Sequence, residues 1–365
     1  MIDRRLMPHV DWVLLGALYL LCLAGLAMIY SITAGPSGEA PRLVYTQLTA
    51  VGLGTLALLI CLAVDYRALA DRAHIWYIML ILLLVYVLVF GVVRGGGRRW
   101  IALPFFNLQP SEFVKIGLAL LLARLFGEGQ RQVPTFRDLT LGGLLTAAPL
   151  VLIARQPDLG TAVTLVPMLA LVAFAAGMRL KIAGILLACA VLSSPFVWTY
   201  ALQDYQRTRI KTFLDPTLDP RGAGYQQIQA RITVGAGGVW GKGFRQGTQG
   251  QLSFLPVAHN DFIFSVLAEE LGFAGVLALL ALYMFVVWRS LDTARKAKDR
   301  LGMLLVVGVL GSFVFQVTYN ITMSAGLAPV KGLTLPLMSY GGSSIIATLA
   351  GFGLILNVRM RRFTN

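Results

Sequence analysis

Charge is scarce in this sequence, and negative charge scarcest. Only 13% of the 365 residues are Asp, Glu, Lys or Arg, and 17 acidic residues stand against 31 basic ones. A soluble globular domain has about a quarter of its residues charged, so that class is excluded. Cysteine is rarer still. Cys22, Cys61 and Cys189 lie singly in apolar runs, and an odd number without CxxC spacing gives neither a disulfide framework nor a zinc site. His9, His74 and His259 are too scattered for a metal cluster. The glycine-rich stretches lack the strand–loop–helix context of a nucleotide P-loop, which makes ATP a poor ligand. The formal net charge of +14 invites nucleic acid as a partner. Basic residues flanking apolar spans meet anionic lipid headgroups instead, and no nucleic acid is expected.

What the sequence has is apolar length: 57% of its residues are hydrophobic and the mean hydropathy is +0.74. The expected fold is an all-α polytopic membrane protein, a single membrane domain over residues 1–365 with about ten transmembrane helices. The first apolar run, Trp12 to Ile32, is too long for the apolar core of a cleavable signal and reads as span one. Spans two to seven are expected near Leu43–Val64, Ile75–Val93, Ser111 onward with Ser111 as N-cap, Leu139–Ile153, Ala162–Ala176 and Ile182–Leu202. Spans eight to ten follow at Phe262–Trp288, Leu301–Met323 and Ser343–Val358. Residues 203–260 form one long extracytoplasmic loop between spans seven and eight.

Both termini are then cytoplasmic. On that topology 17 Lys and Arg fall on the cytoplasmic side, among them Arg4, Arg5, Arg131 and Arg137. The short outer loops hold only Arg42, Arg94, Arg98, Arg99, Arg155 and Lys331, as the positive-inside bias requires. The stretch VRGGGRRWIALPFFNLQPSE cannot be a continuous lipid-facing helix and is expected as an interfacial or re-entrant loop. The glycine- and proline-rich Ser324–Gly342 is expected as an outer loop.

The unusual polar residues fall on that outer side. Phe254 to Gly272, FLPVAHNDFIFSVLAEELG, is a polar loop running into a span, with Asp261 at the join. A carboxylate there is costly to keep and becomes a candidate functional group. Partial desolvation raises its pKa toward the range of a general base, while an interfacial helix cap remains the alternative. Glu270 falls on the opposite helix face and reads as a structural partner of another helix. Glu112 and Lys115, three apart on one helix, can pair, and a structural ion pair and a substrate contact both stay open. Asp158 in QPDLGT reads first as the N-cap of span six. The long loop carries Arg207, Arg209, Lys211, Arg221, Arg231, Lys242 and Arg245 among many glycines. In GAGGVWGKGF and QGTQGQLSF, the latter with Gln249, glycine lets backbone N–H groups approach a phosphate that Arg and Lys neutralise. A diphosphate at the membrane surface is the natural ligand.

GGGRRWI…QPSEFVK, QPDLGT, LDPRGAGYQQIQARITVGAGGVWGKGF, FLPVAHNDFIFSVLAEELG and LPLMSYGGSS occur in an order and spacing that resemble the SEDS proteins of shape, elongation, division and sporulation. The short N-terminus and DYQRTRIKTFLDP are most similar to the elongation (rod-shape) branch. The resemblance implies a glycosyltransferase that polymerises lipid II into peptidoglycan on the outer face of the bacterial inner membrane. It further implies undecaprenyl-diphosphate-linked nascent glycan as co-substrate. A class B penicillin-binding protein and other elongation-complex membrane proteins are the implied partners. It makes Asp261 the essential carboxylate, with Arg99, Lys115, Arg207, Arg209 and Lys242 as candidates to neutralise the leaving diphosphate. Glu112, Asp158, Gln249 and His259 complete the candidate substrate contacts. No cofactor is certain; a divalent cation, Mg or Mn, could assist, without a dedicated site in the sequence. The sequence departs from many relatives in having Asn260 where Thr or Ser precedes the Asp, and Val257 and Ala258 where an acidic residue follows the Pro. A lipid II flippase without polymerase activity, and a polymerase or ligase of other lipid-linked sugars, are the alternatives.

Overall fold

The computed structural model describes residues 7–34, 41–94, 97–102, 107–127, 133–220, 222–251 and 254–363. Arg4, Arg5, Arg131 and Arg221 lie outside the described residues. Four helices come first: α1 (Trp12–Thr33), α2 (Arg42–Ala63), the short α3 (Tyr66–Asp71) and α4 (Ala73–Phe90). A small antiparallel sheet of β1 (Val92–Arg94), β2 (Gly97–Ala102) and β3 (Asn107–Leu108) follows, in the order β1-β2-β3. Then come α5 (Pro110–Gly127), α6 (Phe136–Arg155), α7 (Leu159–Ala175) and α8 (Leu180–Phe196), the last continuing as a π-helical stretch Val197–Ala201. After α9 (Asp204–Leu214), α10 (Ala223–Ala236) and α11 (Thr248–Gln251) the chain closes with α12 (Ile263–Arg295), α13 (Arg300–Ser324) and α14 (Gly342–Met360).

Among the described residues eight helices are long and apolar enough to cross a membrane. Each of the ten expected spans has a helix, but two fall short of that criterion. Helix α5 carries Glu112, Lys115 and Arg124, and α7 is 17 residues long. Short polar side chains start many of the helices. Asp11 accepts from the Leu14 N–H at 3.1 Å, Asp299 from Gly302 at 2.7 Å, and Thr135 with Asp138 forms a capping box on α6. The expected N-cap Ser111 is a correction. Helix α5 begins one residue earlier at Pro110, whose fixed φ suits a first turn, and the buried Ser111 Oγ has no partner.

Helices α13 and α14 form the buried centre. Helix α14 packs on α2, and α13 on α5 and α7. Small residues bring the backbones together: a Cβ on Gly311 would stand 3.1 Å from Met168 Cα, and one on Gly353 2.6 Å from Leu58 O. Helix α8 is the opposite case, largely apolar after Lys181 and with no buried residue, which suits a lipid-facing position.

Two expected loops contain regular structure, and a third packs inward. The Arg- and Gly-rich stretch after α4 is the small sheet, so the fold is not wholly α. The 203–260 loop holds α9, α10 and α11. The segment after α13 has no regular secondary structure, as expected of a loop, but it folds inward: Val330, Leu333 and residues 335–339 are buried. Its backbone is satisfied by the buried Gln47 of α2, which donates to Ser339 O at 2.8 Å and accepts from Gly341 N at 3.2 Å. Irregular backbone survives at membrane depth only when partnered in this way.

The expected span eight is likewise two helical pieces joined at Gly272, where φ is 66° and ψ −166°. The break frees backbone groups that hydrocarbon cannot solvate. The glycine-rich segment after α10 takes four of them. Lys242 N and Gly243 N donate to Glu269 O and Glu270 O at 3.0 Å each, while Phe273 N and Ala274 N donate to Gly238 O and Val239 O at 2.9 and 3.1 Å. Contact is so close that a Cβ on Gly237 would overlap Ala268 O, and one on Gly241 would overlap Glu270 O. The inner piece, 263–271, is thereby held inside the bundle with Ile263 to Glu270 all buried.

Gly272→Ala should destabilise the protein by at least about 1–3 kcal/mol, since its backbone conformation is one only glycine adopts cheaply. Thermal unfolding in detergent checks this; an unchanged midpoint would contradict the assignment of strain to this kink.

Candidate active site

Asp261 ends a tight turn that leads into the inner piece of α12. Asn260 N and Asp261 N both donate to Val257 O, at 3.0 and 3.2 Å, and Val257 itself has φ 53°. The turn is tied down at two points. Tyr340 N donates to His259 O at 2.9 Å, with the two rings edge to face at 5.7 Å, and the buried Asn320 of α13 donates to Asp261 O at 2.8 Å. The same Asn320 amide donates to Leu333 O at 2.7 Å. Beside the carboxylate lies Gly332, where an added Cβ would sit 3.5 Å from Asp261 Oδ2. The carboxylate accepts no hydrogen bond among the described residues.

Electrostatics around this free carboxylate are opposed. Burial pushes the Asp261 carboxyl up to about 7, against the guanidinium groups of Arg209 and Arg99 and with a smaller push from Asp158. Arg209 reaches over from α9 and donates to Val330 O at 3.1 Å. Lys331, one residue from Gly332, rests its ammonium 5.5 Å from the centre of the Tyr319 ring. Burial, and then Arg209, hold its pKa below the ordinary lysine value. Among the described residues neither Arg209 nor Lys331 has a carboxylate within ion-pair distance. Burial also holds the His259 imidazole below its usual value, favouring the neutral ring.

The second cluster surrounds Asp158, which caps α7 as expected by accepting from Thr161 N at 3.2 Å. Gln109 donates to its other oxygen at 2.8 Å, and Arg99 stands 3.9 Å away while donating to the carbonyls of Gln156 and Pro157. Burial raises the Asp158 carboxyl, with Arg99 as the leading opposing influence. The third cluster lies deeper. Lys115 Nζ donates to Glu112 at 2.8 Å and to Gln316 at 2.9 Å, and the three line a cavity of about 30 Å³ between α5, α13 and α14.

The remaining candidates lie elsewhere. Lys242 does not present a free charge, because its ammonium donates to the buried Glu269 and to Thr248, both at 2.7 Å. The Gln249 and Gly250 N–H groups point at the same Glu269 carboxylate, at 3.0 and 3.4 Å. The glycine-rich stretch that reads as a phosphate cradle is therefore occupied by the protein's own carboxylate and kinked backbone. Arg207 turns toward the start of α9, donating to Thr199 O at 2.7 Å. Glu270 is the structural partner expected, accepting from Ser31 of α1 at 2.5 Å.

Sequence reasoning missed Asn320, Lys331 and Gly332. Asn320 carried a usable signal, a full amide inside an apolar span. Lys331 was counted for topology alone. Among the described residues no group of three or more His, Cys, Asp or Glu side chains could hold a metal ion. Asp261 offers Mg or Mn a single unbonded carboxylate, so such an ion would have to be held jointly with the substrate diphosphate.

A family model described as a cell cycle protein of the FtsW, RodA and SpoVE type matches residues 11–363. The chain is 37% identical over 356 residues to peptidoglycan glycosyltransferase MrdB of Escherichia coli strain K12, covering 97% of this chain and 94% of that one. Among solved structures it is similar to a chain from "Structural coordination of polymerization and crosslinking by a peptidoglycan synthase complex". That match has a TM-score of 0.83 and 36% identity over 98% of this chain and 99% of the other. The crystal structure of Thermus thermophilus Rod shape determining protein RodA matches with a TM-score of 0.72 and 33% identity, covering 98% of each chain.

The buried Glu112–Lys115 pair yields a test. Glu112→Gln or Lys115→Met alone strands a charge and should cost about 3–5 kcal/mol, whereas the double variant should recover much of that loss. A thermal-unfolding double-mutant cycle measures the coupling; additive losses would count against the pairing.

Proposed function

Because the chain belongs to the FtsW/RodA/SpoVE family of cell cycle proteins, we propose that it is a peptidoglycan glycosyltransferase that polymerises lipid II for cell elongation and shape. It is a multi-pass membrane protein. The observation that carries the catalytic reading is the Asp261 carboxylate, which accepts no hydrogen bond among the described residues, is raised to about 7 and feels the Arg209 guanidinium, itself without a carboxylate at ion-pair distance among those residues.

Each feature matches a requirement of the reaction. Asp261 removes the proton from the GlcNAc 4-hydroxyl of an incoming lipid II as that oxygen attacks C1 of the MurNAc at the reducing end of the growing strand. The C1–oxygen bond to undecaprenyl diphosphate breaks, with inversion, and the bonding pair leaves on the diphosphate. A base with pKa near 7 combines availability at neutral pH with adequate proton affinity. The leaving diphosphate needs charge neutralisation rather than a proton, so one carboxylate suffices. Arg209 and Lys331 supply that neutralisation. Arg99 acts at one remove by holding Asp158 and the 156–157 turn.

The excess of Lys and Arg at the other end of the bundle supports placing Asp261 on the extracytoplasmic face of the bacterial inner membrane, with both termini cytoplasmic. The similarity to a chain of a peptidoglycan synthase complex supports a class B penicillin-binding protein as the partner that crosslinks the strands.

Asp261→Ala and Asp261→Asn, reconstituted with lipid II and the partner, should fold and make no glycan strands. Normal polymer from either would sink the enzymatic reading, and lipid II translocation in vesicles that survives the change would favour a flippase. In the unmodified protein the rate should climb as pH rises through about 7, where Asp261 ionises. Lys331→Ala and Arg209→Ala should each lower the turnover number by on the order of 100-fold. A rate independent of pH between about 5.5 and 8.5 would exclude Asp261 as the base.

A further inference from the structure

Helix α13 carries Ser312, Gln316, Asn320 and Ser324 at four-residue intervals, all buried. Four-residue spacing puts them on one face, and polar side chains inside a membrane bundle are costly enough to mark function. Gln316 bonds the Glu112–Lys115 pair. Asn320, fully buried, does something different: its single amide nitrogen donates to two carbonyls from separate segments, Asp261 O and Leu333 O. Neither carbonyl belongs to a helix, and neither has another donor among the described residues. The cost is visible, because Asn320 Oδ1 is buried without a partner.

These two bonds sit on either side of the carboxylate. One fixes the backbone of Asp261 itself. The other fixes the residue after Gly332, the glycine that lies against Asp261 Oδ2. Among the described residues the carboxylate takes no hydrogen bond of its own, so its position is set by the backbone from which it projects.

We propose that Asn320 is a positioning residue for glycosyl transfer: one amide clamps the Asp261 turn to the 331–333 segment, aiming the partly buried carboxylate and limiting its contact with water. The proposal rests on Asp261 being the base. It predicts an effect on acidity as well as rate, because the raised pKa of Asp261 is caused chiefly by burial. The charged groups that act on Asp261 are Arg209 from α9, Arg99 from β2 and Asp158 before α7, with Lys331 and His259 close in sequence to its neighbours. Asn320→Leu removes the two donors while leaving all of these groups and nearly the same side-chain volume.

The test compares Asn320→Leu, Asn320→Ser and Asp261→Asn in the full chain reconstituted with its partner and lipid II. For both Asn320 variants we expect turnover to fall by about 100-fold, the loss that a misplacement of about 1 Å produces. KM for lipid II should change less than about threefold, and the acid limb of the rate profile should move to lower pH as water reaches Asp261. Asn320→Ser, which is smaller, covers the case in which leucine crowds the site and prevents folding. Turnover near the unmodified value, or a loss with the acid limb unmoved, overturns the positioning role. A dead Asp261→Asn beside normal Asn320 variants overturns this inference alone. An active Asp261→Asn overturns the base assignment and the inference with it.

Discussion

The structure depends on four backbone hydrogen bonds exchanged across the break in α12. A helix inside a bundle surrounded by lipid cannot simply stop, because its freed N–H and C=O groups find no water. Gly272 stops it, and residues 238–243 provide the partners that solvent would otherwise supply. Those residues come close enough only because Gly237 and Gly241 have no side chains. The break buries eight residues, 263–270, in a short inner helix, and the turn that leads into it holds Asp261. Glu269, on the same inner piece, gathers Lys242, Thr248 and two backbone N–H groups. A buried carboxylate that is well bonded anchors the segment, and eight residues away a carboxylate with no hydrogen bond among the described residues is left to act.

That contrast separates the charges of this end of the molecule into two kinds. Glu112, Asp158, Glu269 and Glu270 each have a partner at hydrogen-bond distance. Such pairs hold helices together, since breaking one leaves a charge in low dielectric. Asp261 and Arg209 differ: among the described residues neither has an opposite charge at ion-pair distance, although each acts on the other. Lys331, beside Gly332, has none at that distance among those residues either. A site that must receive a hydroxyl and release a diphosphate needs its base and its cations near each other but unpaired. A direct ion pair would depress the base and occupy the cation.

Much of this was legible in the sequence. Apolar runs located the helices, QPDLGT announced the Asp158 cap, and the three-residue spacing announced the Glu112–Lys115 pair. Asp261 stood out because a carboxylate at the start of a span is rare. The rest was hidden for identifiable reasons. Glycine in GAGGVWGKGF permits close approach of backbone to a phosphate or to another backbone, and composition cannot say which. Lys242 reads as a free cation until its partner 27 positions along, Glu269, is seen beside it. The segment 331–341 looks like an outer loop because Gly and Pro break helices. Residues 335–339 are nevertheless buried, and Gln47, nearly 300 residues away in sequence, bonds the backbone of Ser339 and Gly341.

The two ends of the bundle are built on different principles. At the end away from Asp261, ionic clusters lock the helices. Asp11 binds Arg289 and Arg359 at 2.9 and 3.2 Å, and Asn357 donates to the carbonyls of Cys61, Leu62 and Val64, closing the end of α2. At the Asp261 end the backbone itself is held in costly conformations. Val257 and Leu337 have φ of 53° and 69°, and each sits in a segment tied to the other through His259 and Tyr340. Left-handed backbone at a β-branched or bulky residue costs on the order of 1–3 kcal/mol and persists only where its surroundings over-determine it. The locked far end supplies rigid helices, and the tethers from Asn320, Gln47 and Tyr340 turn that rigidity into a fixed position for Asp261. The strain is concentrated where a single carboxylate has to be aimed, and it is absent where the helices only have to stay together.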